Sequence, residues 1–496
     1  MARGYPTLRG RGFLLPSRMQ NSYDGAADGR RSASWAAPDL GVNALSVPAL
    51  SALRSRSGAL LRNDPYAANA ISIRAANLIG TGITPRPQVE NKSLRRAMQL
   101  AWDDWSDESD ADGVLDFYGQ QALVARAVEG AGECFVRLRP RKLTEGLAVP
   151  LQVQVLAGAY VPHNKFEVRS NGNEIRAGIE FDRETGRRVA YWMYRRHPSD
   201  RSNLAAGAAQ LVRIPAEQVL HIFEPLEPGQ LRGLPRLTPV LKRLRSLDNY
   251  DDAVLFRQEV ANLFTGFIKR PASVGPPAVD PITGAPINTD RDGFTPMIGM
   301  EPGTMQELAP GEEVEFSAPP DAGNNYSEFM RQQLMAAAAG IGTPYELLTG
   351  DMRGVSDRAL RVLLTEFRRR LEMLQHGIYV HQFCRPVRAA WLDMAVLAGA
   401  VELEDYATRR REYLRTRWIP QGWEYLHPVQ DVQAKLLEIK GGLASRSEKV
   451  LERGYDAETI DEENAADAQR AHDLGLHYTT GLHDDAAGER DREENQ

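Results

Sequence analysis

The repeat length of the apolar residues changes twice along this chain, and nothing else in the sequence restricts the fold as tightly. Leu53, Leu60, Leu61, Ala68, Ile71, Ala75 and Leu78 recur near helical spacing, broken at Asp64-Pro65 and closed by Gly80-Thr81-Gly82 and Pro85. That pattern predicts two helices joined by a turn. Leu94, Met98, Ala101, Trp102 and Trp105 line one side of a helix over 93–107, and a further helix over about 117–130 comes after the turn at 110–113. The period then falls to two. Residues 133–139, 151–156, 175–181, 189–194 and 219–223 read as strands between Gly, Asn and Pro turns. After Arg232-Gly233-Leu234-Pro235 the helical period returns for about 28 residues, with Leu237, Val240, Leu241, Leu244, Leu247, Tyr250, Asp251, Val254, Leu255 and Val260 tracking one face. The expectation is an α+β fold.

Proline and glycine punctuate the chain beyond this helix. Pro271, Pro276, Pro277, Pro281, Pro286, Pro296 and Pro302 bar a helix and predict a projecting, loop-rich insertion. Short strands near 305–308 and 313–317 and a helix over about 326–340 come next. Beyond the break at 340–344 and the Gly350–Gly354 loop, a second long helix begins at Ser356. Leu360, Leu363, Leu364, Phe367, Leu371 and Leu374 form its apolar stripe, while Arg358, Arg361, Arg368, Arg369 and Arg370 lie mostly elsewhere. It is expected to bend at Pro386 and run to about Leu397. The last part holds a helix over about 429–440, a Gly441-Gly442 stop, and a helix capped by Ser445 or Ser447. Residues 1–45 have the composition of a flexible arm, and the acidic tail from His477 that of a disordered segment.

Composition closes off several functions. With 496 residues and 42% hydrophobic content, the chain can form two or three compact units. Its longest apolar run, 334–339, is far short of the ~20 residues of a membrane helix. Met1-Ala2-Arg3-Gly4-Tyr5-Pro6 leads into no apolar signal segment, so a cytoplasmic origin is expected. Cys134 and Cys384 stand far apart and read as buried thiols, unable to build a disulfide framework or a Cys-based zinc site. Sixty basic against 66 acidic residues give a net charge of −6, without the basic excess that drives tight non-specific DNA binding. Any DNA contact must therefore be local or weak.

Catalytic signals are missing. There is no phosphate-binding glycine loop ending in Lys-Ser or Lys-Thr, no dinucleotide fingerprint and no Gly-x-Ser-x-Gly elbow. Gly80-Thr81-Gly82 comes after a helix and reads as a turn. His376 and His381, five apart, fall on different faces of an α-helix, unlike the i, i+4 pair of a zinc motif. Cys134 has no nearby His to activate it. The arginines from Arg358 to Arg370 read as a solvated face with ion pairs such as Glu366 to Arg370, or as contacts to other subunits or DNA phosphates. No catalytic residue, cofactor or metal site is expected.

The order of blocks resembles the lambda-type family of phage portal proteins from about Ser55 to Leu476. The blocks are Leu61-Arg62-Asn63-Asp64-Pro65-Tyr66 with 77–83, Trp102-Asp103-Asp104-Trp105 through Asp116-Phe117, Gly132-Glu133, 178–182 with Ala190-Tyr191-Trp192, and 219–223 leading into 228–235. Further on come Tyr250-Asp251-Asp252-Ala253, 340–345 with Gly350-Asp351, Trp391-Leu392, and the tail from Trp423 to Gly454-Tyr455-Asp456. Each block alone is weak, and the ordered set is specific. The resemblance implies a non-enzymatic ring of twelve subunits at one capsid vertex, a channel for packaging and ejecting double-stranded DNA. It implies transient, non-specific DNA contact and docking of the terminase large subunit, head-completion or adaptor proteins, and major capsid and scaffolding proteins, with assembly in the host cytoplasm and residence in the virion. No membrane partner is implied.

By segment, the resemblance implies a flexible arm at 1–45 and a wing at 46–235, α then β, that returns at 304–349. The stem helix takes 236–265, with Arg243, Leu244, Leu247, Tyr250 and Asp251. The clip takes 266–303, with Asp290, Arg291 and Asp292 facing partners. A tunnel loop at 350–356 carries Met352, Arg353, Gly354 and Val355, flanked by Arg358, on a long helix at 357–400. A helical crown at 401–476 precedes the tail at 477–496. Two departures limit the transfer: Gly354-Val355-Ser356-Asp357-Arg358 replaces a common Tyr-Ser-Ser-x-Arg, and no second long helix is seen returning from the clip. A conduit suits the charge, since twelve copies would carry on the order of −70 and hold DNA only loosely. The rivals are another ring-shaped virion component, such as a head–tail connector, and a hydrolase using Cys134 or the His pair.

Overall fold

The computed structural model describes residues 38–200, 210–263, 267–269, 313–315, 326–423, 425 and 427–476. Helices α1 (Val42–Asn63) and α2 (Pro65–Ile79) meet where the sequence breaks: the Asp64 carboxylate accepts the Ala67 N–H at 2.8 Å, and Pro65 opens the second helix. α1 starts inside the stretch expected to be a flexible arm; residues 42–45 are helical because Val47 and Leu50 behind them are buried. Residues 1–37 of that arm lie outside the described residues.

Strand β1 (Thr84–Pro87) leads to α3 (Lys92–Glu108) and α4 (Phe117–Ala131), capped by Asn91 and Asp116. Trp102, Trp105 and Phe117 are fully buried against Trp391, with ring centroids 4.8 to 6.5 Å apart. This aromatic knot ties the N-terminal helices to the C-terminal half.

The alternating segments form two antiparallel sheets. β2 (Glu133–Pro140) lies between β3 (Leu151–Ala157) and β9 (Val219–Phe223). β4 (Glu167–Val168), β5 (Glu174–Arg176), β6 (Ile179–Phe181), β7 (Arg188–Tyr194) and β8 (Leu211–Pro215) make a five-stranded meander in chain order. The single strand expected over 175–181 is in fact two. Ala177 at φ 52° and Gly178 at φ 81° reverse the chain between them, the paired positive φ of a two-residue hairpin turn.

The chain then enters α5 (Leu241–Leu263). The regular helix starts at Leu241, later than the expected 236–237, because Pro239 bars the α conformation for Thr238 and supplies no N–H. β10 (Phe267–Lys269) and β11 (Glu313–Glu315) pair antiparallel across the Pro-rich insertion. α6 (Tyr326–Ile341) is the helix expected over about 326–340. It runs antiparallel to α5: Leu237, Val240, Leu241 and Leu244 pack with Ala337, Ala338 and Ile341, and Leu247 packs with Met330 and Leu334.

After α7 (Tyr345–Thr349), α8 (Asp357–Leu374) continues through a π-helical stretch (Gln375–Cys384) into α9 (Arg385–Leu397) as one rod. Ten residues of wide winding precede Pro386, ending two residues short of the ring that removes an N–H. This i to i+5 winding aligns residues five apart, so His376 and His381, both exposed, share a side of the rod instead of lying on different faces. α10 (Tyr406–Tyr413) precedes β12 (Thr416–Ile419), which pairs with β1 across 335 positions. α11 (Pro428–Lys440), α12 (Arg446–Glu452) and α13 (Ala457–Asp473) end the described chain, with Ser445 rather than Ser447 as the cap of α12. No described helix is long and apolar enough to cross a membrane.

One buried ionic centre joins α1, both sheets and the lead into α5. Glu133 and Arg232 are fully buried. The Glu133 carboxylate accepts from Arg232 Nε at 2.8 Å, from the Gly233 N–H at 2.8 Å, from His221 Nε2 at 3.0 Å and from Arg54. Arg232 donates further to the carbonyls of Ala177, Gly158 and Val161. Gly132 and Gly233 pass backbone to backbone here: a Cβ on Gly233 would collide with the Gly132 carbonyl, which only hydrogen in that place avoids. Cys134 and Cys384 are free and buried, and burial pushes both thiols up.

Candidate functional site

The segment expected to do mechanical work is the loop between α7 and α8, and its shape is set by a few local rules. α7 stops at Gly350, whose φ of 74° lets its N–H turn back to the Glu346 carbonyl at 2.8 Å. α8 starts at Ser356, whose hydroxyl accepts the Ala359 N–H at 3.2 Å. Gly354 at φ 76° makes the remaining turn with open space around it.

Asp351 organises the loop from within. Its carboxylate accepts the Arg353 N–H at 3.1 Å and the guanidinium at 2.8 and 2.9 Å, and it accepts the Tyr345 hydroxyl at 3.0 Å. The Arg353 guanidinium holds this carboxyl well below the usual range, and Arg353 is raised in return. From α6, Arg331 donates to the Arg353 carbonyl at 3.1 Å and lies over the Tyr345 ring. The loop is thus pinned at its base while Met352 (50% exposed) and the Arg353 side chain (77% exposed) project. Each projecting Arg353 is neutralised by its own Asp351, so the tip carries no net charge.

Of the residues expected here, Met352, Arg353 and Gly354 stand together at the tip, and Val355 is half-buried. Arg358 does not join them. It lines a cleft between α6 and α8 with Ala338, Pro344, Val362, Leu363 and Phe367. Two arginines of α8 are paired within the chain: Arg361 with Asp357 at 3.1 Å, and Arg369 rather than Arg370 with Glu366 at 2.7 Å. Arg368 lies 4.9 Å over the Trp423 ring.

The apolar stripe of α8 is covered only in its second half. Phe367, Leu371 and Leu374 are buried, whereas Leu360 and Leu364 are half-buried and Leu363 is 36% exposed; Val362, off the stripe, is 61% exposed. α5 behaves alike. Leu244 and Leu247 are buried, Arg243 reaches Gln333, and Asp251 accepts the Tyr326 hydroxyl, pushing it up to about 12. Tyr250 stacks on Tyr326 at 6.0 Å. Beyond that point Leu255 and Phe256 are exposed, so the single expected face is not buried along its whole length. Asp290, Arg291 and Asp292 lie outside the described residues, as do residues 305–308 and the tail from 477. Among the described residues no group of three or more His, Cys, Asp or Glu is placed to hold a metal ion.

Arg331 and Tyr345, which fix the loop, are the residues that sequence reasoning passed over. Tyr345 and Asp351 lie in blocks that carried the family resemblance, and that was the available signal. Arg331, 22 positions from its acceptor, left none.

Comparison with known proteins shows the family. The profile described as phage portal protein, lambda family, matches residues 28–375. The chain is 26% identical over 435 residues to a probable portal protein of Halomonas phage phiHAP-1, covering 86% of this chain and 81% of that one. It is 23% identical over 521 residues to portal protein B of Escherichia phage lambda (95% and 94% covered), and 23% identical over 493 residues to the portal protein of Escherichia phage N15 (91% and 90%). Among solved structures, a chain in the neck of a native gene transfer agent particle, computed with C12 symmetry, is similar at 14% identity with a TM-score of 0.43, covering 82% of this chain and 99% of that one. By the extent and order of the match, this chain belongs to the lambda family of phage portal proteins, a structural and non-enzymatic family.

Proposed function

We propose that twelve copies of this chain close head to tail into a ring at one capsid vertex, and that double-stranded DNA passes through the centre during packaging and ejection. The observation that carries this reading is apolar surface left uncovered on two helices: Val362 and Leu363 on α8, Leu255 and Phe256 on α5. A lone soluble chain gains nothing from these exposures, while a heterologous interface that closes into a ring buries them in every copy. α5 and α6 together are the stem, α6 supplying the returning half.

The 350–356 loop is the tunnel loop. Met352 and Arg353 ride on a base fixed by Asp351 and Arg331 and move against DNA without gripping it, because the Asp351 partner already satisfies the Arg353 charge. The unpaired-phosphate attraction that would act as a brake is thereby reduced. The wing is 46–235, returning at 304–349 apart from the stem helix α6, with the clip at 266–303 and the crown at 401–476. Terminase large subunit and head-completion proteins dock on the clip through Asp290, Arg291 and Asp292. Major capsid and scaffolding proteins surround the wing, and assembly takes place in the host cytoplasm.

The test is the native mass of the purified protein. A closed twelvefold ring of 55.1 kDa chains has a mass of about 660 kDa. A species that stays at the single-chain mass at every concentration would remove the proposal.

A further inference from the structure

The junction of the π-helical rod with β12 holds a second feature that the channel reading leaves unused. A cleft there is lined by His381, Arg385, Arg388, Arg415, Arg417 and Trp418, and by no acidic residue. Arg388 is 2% exposed, and no protein atom accepts from its Nε, Nη1 or Nη2. Its guanidinium lies 4.1 Å from the Trp391 ring and 4.8 Å from Trp102, which hold its plane without taking its hydrogens. The nearby carboxylate, Asp103, accepts from Gln99 at 2.8 Å and does not pair with it. Burial pushes Arg388 down to about 9, which still leaves it cationic at neutral pH. Trp418 Nε1, also in the lining, is likewise buried without a protein acceptor. Among the described residues none of Arg385, Arg388, Arg415 and Arg417 forms a salt bridge.

A buried cation without a counter-charge is costly, and an anion held in the cleft above it offsets that cost across the low-dielectric interior. We infer that this cleft binds a phosphoryl oxyanion, held by the exposed Arg385, Arg415 and Arg417, with the uncompensated charge of Arg388 buried beneath it. A carboxylate fits less well: its single negative charge cannot balance four guanidinium charges, whereas phosphoryl oxygens match the forked donors of the exposed arginines. The phosphoryl group can come from the DNA backbone or from a free phosphate compound, and the chemistry is shared.

Pyrophosphate titrated into the intact protein, against sodium chloride at equal ionic strength, tests this by calorimetry and tryptophan fluorescence. The expected result is saturable binding, one site per chain, weakened at least about tenfold by Arg415→Gln with Arg417→Gln. These two residues are exposed, so the double variant should keep the fold, and Arg388→Gln should also lose the site. If DNA is the source, pyrophosphate displaces a short duplex and the double variant binds that duplex less well. If the source is free phosphate, the duplex is unaffected and pyrophosphate still binds. Pyrophosphate binding no stronger than chloride, or unchanged in both variants, would overturn the inference while leaving ring formation untouched.

Discussion

Glu133→Gln should be among the most damaging conservative changes available to this chain. The carboxylate is fully buried and, among the described residues, is the only anion contacting Arg232, which is itself fully buried; it also meets Arg54 and His221. Replacing it with an amide keeps the shape. It removes the charge that offsets Arg232 and turns part of the acceptor into a donor facing donors. The three backbone carbonyls that remain on Arg232 satisfy hydrogen bonds but supply no counter-charge. Breaking a buried pair from one side in this way costs about 3–5 kcal/mol. Urea unfolding monitored by tryptophan fluorescence and circular dichroism reads the loss. The pair replaced together, Glu133→Leu with Arg232→Met, should lose less than the two single changes summed, by at least about 2 kcal/mol of coupling. A loss below about 1 kcal/mol for Glu133→Gln, the range of an exposed pair, would refute the reasoning that this centre holds the lead into α5 against the sheets.

The same structure sets other outcomes. Val362→Asp should leave the circular dichroism of the chain unchanged and abolish rings seen by sedimentation, because the side chain is 61% exposed within one copy. Alanine at both Met352 and Arg353 should leave rings intact and alter DNA packaging or retention in particles; unchanged packaging and retention would remove the role given to the loop. His221 is buried and pushed down to about 4 by burial, against a usual value near 6.5, so it stays neutral when folded. Between those values the unfolded chain binds a proton that the folded chain does not, so stability falls as pH falls through that window, by up to about 3 kcal/mol. His221→Gln should flatten the dependence of the urea midpoint on pH from 7 to 4.5.

The helical and alternating periods made most elements legible, and so did the break at Asp64-Pro65 and the start at Ser356, each of which the structure keeps as a helix cap. The features that escaped did so for physical reasons. Leu211–Pro215 is a short strand held by β7, and its own pattern is too brief to read. The 175–181 strand hid a turn because Ala177 at positive φ is rare, and only Gly178 hinted at it. The pairing of β1 with β12 and the return of α6 along α5 are long-range contacts, with no local signature. The ionic centre was hidden for the same reason. Arg54, Glu133, His221 and Arg232 come from four parts of the chain, and each alone looks like surface. In the loop, glycine spacing marked the turn, while the anchoring by Arg331 needed the packing of α6.

The central claim is that copies of this chain enclose a hole and turn the 350–356 loop toward it. A single-particle reconstruction of the purified full-length protein tests this most directly. The account predicts a closed ring with Met352 and Arg353 on its inner wall and Val362 buried between neighbouring copies. Particles without a central opening, or a ring with that loop on its outer surface, would contradict it.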